Sequence, residues 1–368
     1  MIKQRPAFIV FLIVLGALSV FAQTPKPTPV NDDDEVIKVN SRLVVVPVSV
    51  TDAGGQPVLG LKAQDFRVLE ENKSQQIEQV SDAEKVPLEI ILLFDVSAST
   101  DAMFKFEQET AAQFLKDVMK PEDRASVFSI GSTPRLIQGR DSAEKTAAAI
   151  QSIQPTKSFT AFYDSVAAAA EYLQKNAPQG RRKVVVVISD GEDTNSERIR
   201  RAIQTGYTNL GKKIDTIDSK SLYQLTVANR NEASAREQNR VLQTLQNTDA
   251  VFYSINPAGS SYQLNKMSVF GQSNLQKFAE QTGGTAFLPK FLPINLKDNM
   301  QNSSNTKRNQ ETLTKIFRQL ANELQAQYLV QYYSESDFPN NRYVKLNVGL
   351  NNPQNFRVRA RQGYFVKN

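Results

Sequence analysis

The sequence predicts an α/β protein: a doubly wound, mostly parallel sheet flanked by helices, with an additional β-sandwich formed by N- and C-terminal strands. Three observations predict it. Residues 88–94 and 183–189 are nearly continuous apolar runs, as expected of strands buried on both faces of a parallel sheet. Strand-like and helical segments alternate between 88 and 327, the rhythm of a doubly wound fold. Short alternating strands bounded by turn residues flank this region on both sides.

Residues 1–22 read as a secretory signal peptide. Lys3 and Arg5 precede an apolar run over 7–21, which ends in Val20-Phe21-Ala22 with small residues where a signal peptidase reads. The alternative is an uncleaved membrane anchor, because the run falls only slightly short of the roughly 20 residues that span a bilayer. The chain has no Cys, so lipid attachment at a cysteine is excluded. The expected location is periplasmic or secreted. Residues 23–35 hold three prolines and then Asp32-Asp33-Asp34-Glu35, a solvated tether without a core of its own.

Residues 36–86 form the first β segment. Alternation over 42–50 puts Val44, Val46, Val48 and Val50 on one face. A turn at Asp52-Ala53-Gly54-Gly55 leads to a second strand around Phe66 and Val68, and a turn at 70–73 to a third over 77–80. Residues 87–327 form the α/β region. Its strands are expected at 88–94, 125–130, 183–189, 250–255 and 285–288, with helices at 142–153, 162–176, 233–246 and 274–281. A closing helix over 312–327 carries Leu313, Ile316, Phe317, Leu320 and Leu324 on one stripe. The stretch 198–228 is polar and aperiodic, long for a connection, and reads as an insertion or an extended helical excursion near the site. Residues 328–368 return to strands at 328–333, 343–348 and 356–361. Three strands at each end are too few to stand alone comfortably. They are expected to join in one sandwich with the α/β domain inserted between them; two separate β units are the alternative.

Composition narrows the chemistry. The apolar share of 40% is ordinary for a globular chain, and there is no Cys, His or Trp. That excludes a Ser-His-Asp triad, a Cys-His dyad and zinc sites built on imidazole or thiolate. A bound metal must therefore be held by oxygen, which favours magnesium, manganese or calcium. The formal charge is +6, or +4 without Lys3 and Arg5. The charges read as mixed along the sequence, with no basic stripe or basic-aromatic alternation of the sort that tracks phosphates, so nucleic acid is not expected as a partner.

Asp95-Val96-Ser97-Ala98-Ser99 follows directly on the first buried strand, and Ser189-Asp190-Gly191 ends the other strong one. In doubly wound sheets, ligands bind beyond the carboxyl ends of the strands, where strand order reverses. If these two strands are neighbours there, Asp95 and Asp190 converge on one crevice. Thr160, in Ser158-Phe159-Thr160-Ala161, lies just before a helical segment in a loop placed to close over it. Asp and Ser are also common in turns and helix caps, so no single one of these residues defines a site.

This pattern resembles the von Willebrand factor A domain with its metal-ion-dependent adhesion site: D-x-S-x-S after the first strand, a Thr in the second metal-binding loop and an Asp after the fourth strand. The resemblance covers roughly 88–327. It implies that Asp95, Ser97, Ser99, Thr160 and Asp190 hold Mg2+ (or Mn2+ or Ca2+), and that the ion captures an Asp or Glu carboxylate of a protein partner. The flanking strands, with V-x-V-x-V-x-V-T-D and R-x-G-Y, look like a bacterial subfamily described in Acidobacteria and their relatives. Neutral hydroxyl ligands leave an ion electrophilic, and a hard oxygen anion is the natural occupant of its open position. The expected function is therefore an exported binding module and not an enzyme. The alternatives are a metal-assisted hydrolase, for which only Glu192 or Asp193 offers a base, and a structural envelope protein in which the metal merely stabilises.

Overall fold

The structure, a computed structural model, describes residues 41–82, 85–97, 101–156, 158–257, 266–294, 297–353 and 355–367. The expected signal peptide and acidic tether, and Ser99, lie outside the described residues.

A six-stranded sheet forms the centre, in the order β10-β9-β8-β5-β6-β7: β10 (Ala286–Phe287), β9 (Ala250–Ile255), β8 (Arg182–Ile188), β5 (Leu88–Asp95), β6 (Arg124–Ile130) and β7 (Pro134–Asp141). All pairings are parallel except β6 with β7. Every residue of β5 and β9 is buried, which explains why these strands read as continuous apolar runs without alternation. Helices α1 (Asp101–Val118), α2 (Ala143–Gln151) and α7 (Asn299–Gln325) cover one face, and α3 (Phe162–Asn176), α5 (Ser219–Asn247) and α6 (Lys266–Thr282) the other. Leu313, Phe317, Leu320 and Leu324 of α7 pack into the first of these cores, so the predicted stripe faces the sheet.

The chain leaves β5 toward β6 and β7, then returns to the other side of β5 for β8, β9 and β10. The carboxyl ends of β5 and β8 are therefore the point at which strand order reverses. Their register pairs Phe94 with Ile188, bringing Asp95 and the residues after Ile188 side by side.

Two four-stranded antiparallel sheets complete the fold, where the sequence predicts a sandwich of three strands from each end. One has the order β13-β1-β11-β4, from β13 (Arg357–Ala360), β1 (Arg42–Thr51), β11 (Gln327–Ser334) and β4 (Ile77–Asp82). The other has the order β14-β12-β2-β3, from β14 (Gly363–Phe365), β12 (Tyr343–Leu350), β2 (Phe66–Glu70) and β3 (Lys73–Gln75). Strands from both ends of the chain thus pair directly, with Val46 opposite Val330 and Val68 opposite Val348. Their inward residues, including Val44, Val48, Phe66, Tyr332 and Leu346, share one core. Within it the buried Glu70 carboxylate accepts hydrogen bonds from Tyr332 Oη (2.8 Å), Ser334 Oγ (2.8 Å) and Tyr364 Oη (2.7 Å). Three donors satisfy a charge that would otherwise be costly to bury.

Several elements differ from their sequence expectation. The closing helix begins at Asn299, well before 312, because its polar first half is anchored by other means. Asp298 caps it through Met300 N and Gln301 N, and Asn305 and Asn309 bond the carbonyls of Pro293 and Leu292. The stretch 198–228 is helical: it comprises α4 (Glu197–Leu210), a short 3-10 turn and the first third of α5. Strands β3, β7 and β14, which lack a hydrophobic alternation, were not expected.

Candidate metal centre

Asp95 is the last residue of β5 and is 8% exposed. Its Oδ1 accepts from Ser97 N (3.0 Å) and Ser97 Oγ (2.6 Å), and its Oδ2 accepts from Ser189 Oγ (2.6 Å). Burial pushes the Asp95 carboxyl above the ordinary range, and the bonds from Ser189 and Ser97 partly offset this. Because Ser97 Oγ gives its proton to Asp95, its lone pairs remain available to accept a cation.

Asp190 follows β8 by two residues, and its Oδ1 accepts from Glu192 N (2.9 Å). Burial, above all, pushes its carboxyl up to about 6; the nearby charges of Asp95 and Glu192 add to the rise. Two carboxylates of adjacent strands therefore feel each other. Among the described residues neither is ion-paired with a Lys or Arg.

Thr160 is 7% exposed and lies next to Ala161, the residue that caps α3. Its N donates to Thr194 Oγ1 (2.8 Å), and its carbonyl accepts from Thr194 N (2.9 Å) and Asn195 N (3.0 Å). The Thr160 loop is thus clamped to the loop that carries Asp190. Ala161 N donates to the Gly131 carbonyl (2.7 Å), and Thr156 N to the Val96 carbonyl (2.8 Å), so the same loop is also fastened to the ends of β6 and β5. Its hydroxyl has no hydrogen-bond partner among the described residues. The structure brings together Asp95, Ser97 and Asp190 at one sheet edge and ties the Thr160 loop to it; Ser99 lies outside the described residues.

Three residues that support the crevice were not singled out from sequence. Ser189, fully buried, links Asp95 to Gly191 N (3.0 Å). Asn274 of α6 donates to the Gly191 carbonyl (3.0 Å) and accepts from Tyr163 Oη (2.9 Å) and Gln238 Nε2 (2.8 Å). Gly271 of α6 lets the helix touch the Asp190 loop, since a Cβ there would lie 2.6 Å from the Asp190 carbonyl. Gly191 meets it from the other side with φ +76°, a conformation that favours glycine. The Ser-Asp-Gly string hinted at the first of these; nothing in the sequence pointed to α6.

The nearby acids have other work. Asp193 accepts from Tyr163 N (3.0 Å), Ser196 N (2.9 Å) and Ser196 Oγ, and burial raises its carboxyl above the ordinary range. Asp164 Oδ2 accepts from Glu197 N (2.8 Å), at the start of α4. Glu192 accepts from Ser268 Oγ. Among the described residues no three Asp or Glu side chains are grouped to hold an ion. The donors at the crevice are two carboxylates and neutral hydroxyls. That oxygen-only set, with its unpaired negative charge, fits a hard divalent ion.

An open, mostly parallel sheet with oxygen-bearing side chains gathered at its reversal point defines a doubly wound α/β domain. Residues 90–192 match the family model of the von Willebrand factor type A domain, so the chain contains a domain of this type. No curated protein matches the chain. Among solved structures, an aerotolerance-related membrane protein from Bacteroides fragilis is 15% identical, covering 64% of this chain and 98% of that one at a TM-score of 0.35. A von Willebrand factor type A protein from Catenulispora acidiphila is 13% identical, covering 76% and 51% at 0.36. Proximal thread matrix protein 1 from the mussel byssus, solved with zinc in its MIDAS motif, is 13% identical, covering 68% and 48% at 0.39. This chain spans about half the length of the last two.

Proposed function

We propose that this is an exported binding protein that captures a carboxylate of a protein partner through a divalent ion, Mg2+ in the first instance. Asp95, Ser97, Ser99, Thr160 and Asp190 would hold the ion, as a metal-ion-dependent adhesion site of the bacterial subfamily the flanking strands resemble. The observation that carries this reading is the convergence of Asp95 and Asp190 on adjacent strand ends without a cationic side chain. A buried and a half-buried carboxylate in that position are stabilised by a positive charge, and none is supplied by the described residues. Bound there, the ion would offer an electrophilic position to a hard oxygen anion. Ser97 contributes a hydroxyl oriented by Asp95, and Thr160 a hydroxyl on a clamped loop. Domains matched by this family model are generally interaction modules.

The hydrolase alternative asks for a free base beside the ion. Asp193 is engaged by three donors, and Glu192 is bonded to Ser268. Both carboxylates position loops and helices here.

The test is retention of the full chain on immobilised polyglutamate at high salt, where exposed charges are screened. Capture should require Mg2+ and end with chelator. Thr160→Ala should lower capture by more than it lowers Mg2+ affinity, because both aspartates remain. Undiminished capture after chelation would contradict the proposal.

A further inference from the structure

The stretch 197–232, which spans α4 and the unburied half of α5, holds seven basic and four acidic side chains, a net +3 out of the +6 of the whole chain. Half of the net positive charge thus falls on one stretch, and the fold determines where it lies.

Helix α5 ends at Asn247, three residues before β9 begins at Ala250. Since β9 runs parallel to β8, α5 descends from the carboxyl edge of the sheet to its amino edge. Its buried positions run from Ala233 to Gln246. That is about 21 Å of helix, close to the roughly 20 Å length of the strands it covers. The preceding half, from Ser219, has no buried residue and extends about 20 Å beyond the sheet.

Helix α4 climbs alongside. Arg198 meets Glu237 (3.7 Å), Gly206 packs against Asn229 without room for a Cβ, and Tyr207 Oη bonds Thr226 Oγ1 (2.8 Å). The two helices form an antiparallel hairpin. Its base is the loop that carries Asp190, because α4 starts from Ser196, whose Oγ donates to Asp193 and accepts from Asp164 N. The hairpin therefore rises from the rim of the crevice, on the face where a partner would arrive.

Its tip is built for contact. Lys212, Lys213 and Lys220 are exposed and make no ion pair among the described residues. The tip also carries exposed Asp215 and Asp218, and Asp218 caps α5 through Lys220 N (3.0 Å) and Ser221 N (2.9 Å), bonds that favour its charged form. Two large apolar side chains stand beside the lysines: Tyr223 is 70% exposed and Ile214 is 39% exposed.

We infer that this hairpin is a second docking arm, which holds an acidic segment of the same protein partner whose carboxylate enters the crevice. The inference rests on the reading of the crevice as a carboxylate-capturing metal site. Charge complementarity selects the occupant: a partner that presents Asp or Glu to the crevice, in an acidic neighbourhood, meets Lys212, Lys213 and Lys220 on an arm of net charge +3. Such contacts steer encounter and set specificity more than they set final affinity.

The test uses the full chain, a decaglutamate peptide and phosphatidylglycerol vesicles. Lys212→Gln, Lys213→Gln and Lys220→Gln combined should weaken decaglutamate binding roughly tenfold at low salt and flatten its salt dependence. Mg2+ affinity should not change, since none of the three touches the crevice. Asp95→Ala should do the converse, removing the Mg2+-dependent part and sparing the salt-dependent part. Decaglutamate binding unchanged in the triple variant would overturn the docking arm while leaving the metal reading intact. Loss of vesicle binding in the triple variant, with decaglutamate unaffected, would reassign the arm to an anionic membrane.

Discussion

Ser189 Oγ donates to Asp95 Oδ2 at 2.6 Å and receives Gly191 N at 3.0 Å. One buried hydroxyl thereby locks the end of β5 to the turn that presents Asp190. The Asp95 carboxylate and the Gly191 backbone are thus held by the same hydroxyl.

Ser189→Ala removes both bonds and leaves a buried carboxylate oxygen without its donor. The expected cost is about 1–3 kcal/mol of stability, read from the urea midpoint. Mg2+ affinity should fall by roughly 10–100-fold, the usual effect of losing a group that orients a ligand. Ser189→Thr, which keeps the hydroxyl, should recover part of the affinity. A variant with unchanged affinity would show that the Asp95 orientation does not depend on this bond.

Gly271→Ala tests the contact between α6 and the Asp190 loop. The new Cβ would lie 2.6 Å from the Asp190 carbonyl and 2.9 Å from Glu192 N, both backbone atoms. Helix or loop must shift, at a cost of about 1–3 kcal/mol, and Mg2+ affinity should fall with it. Thermal melts and titrations on the same preparation check both. Full affinity in a destabilised variant would confine the contact to stability.

The sandwich is tested by truncation. Deleting residues 329–368 removes most of β11 together with β12, β13 and β14, so β1 loses both neighbours and Val44, Val46 and Val48 lose their cover. The remainder should aggregate, since a contiguous apolar face of this kind is an association liability. A soluble truncation with a single cooperative melt would mean that the two ends form separate β units.

Much of this fold was legible because its signals are local. The runs 88–94 and 183–189 are apolar enough to declare buried parallel strands, and the valines of β1 alternate cleanly. Phe162–Asn176 was legible as a helix over its full length. The hairpin was harder to read: α4 buries only Ile199, and its second half packs on another helix through Gly206 and Tyr207, which leaves no apolar period. Strands β7 and β14 are paired by tertiary context and carry no hydrophobic alternation. At the crevice, Asp95, Thr160 and Asp190 could be chosen because their types and places coincide. Asn274 and Gly271 could not, since their importance comes from where α6 lands.

Export is a separate expectation, drawn from Lys3, Arg5 and the apolar run over 7–21. A reporter fused behind residues 1–23 should cross the inner membrane, and the mature protein should begin at or near Gln23. N-terminal sequencing decides; an intact Met1 on a membrane-bound protein would favour the anchor.

The account stands on Asp95 and Asp190 sharing one ion. Calorimetric titration of Mg2+ into the purified protein measures this directly. The parent should bind one ion, and Asp95→Ala and Asp190→Ala should each weaken binding by at least about tenfold, with circular dichroism showing the fold retained. Unchanged affinity in both variants would contradict the site.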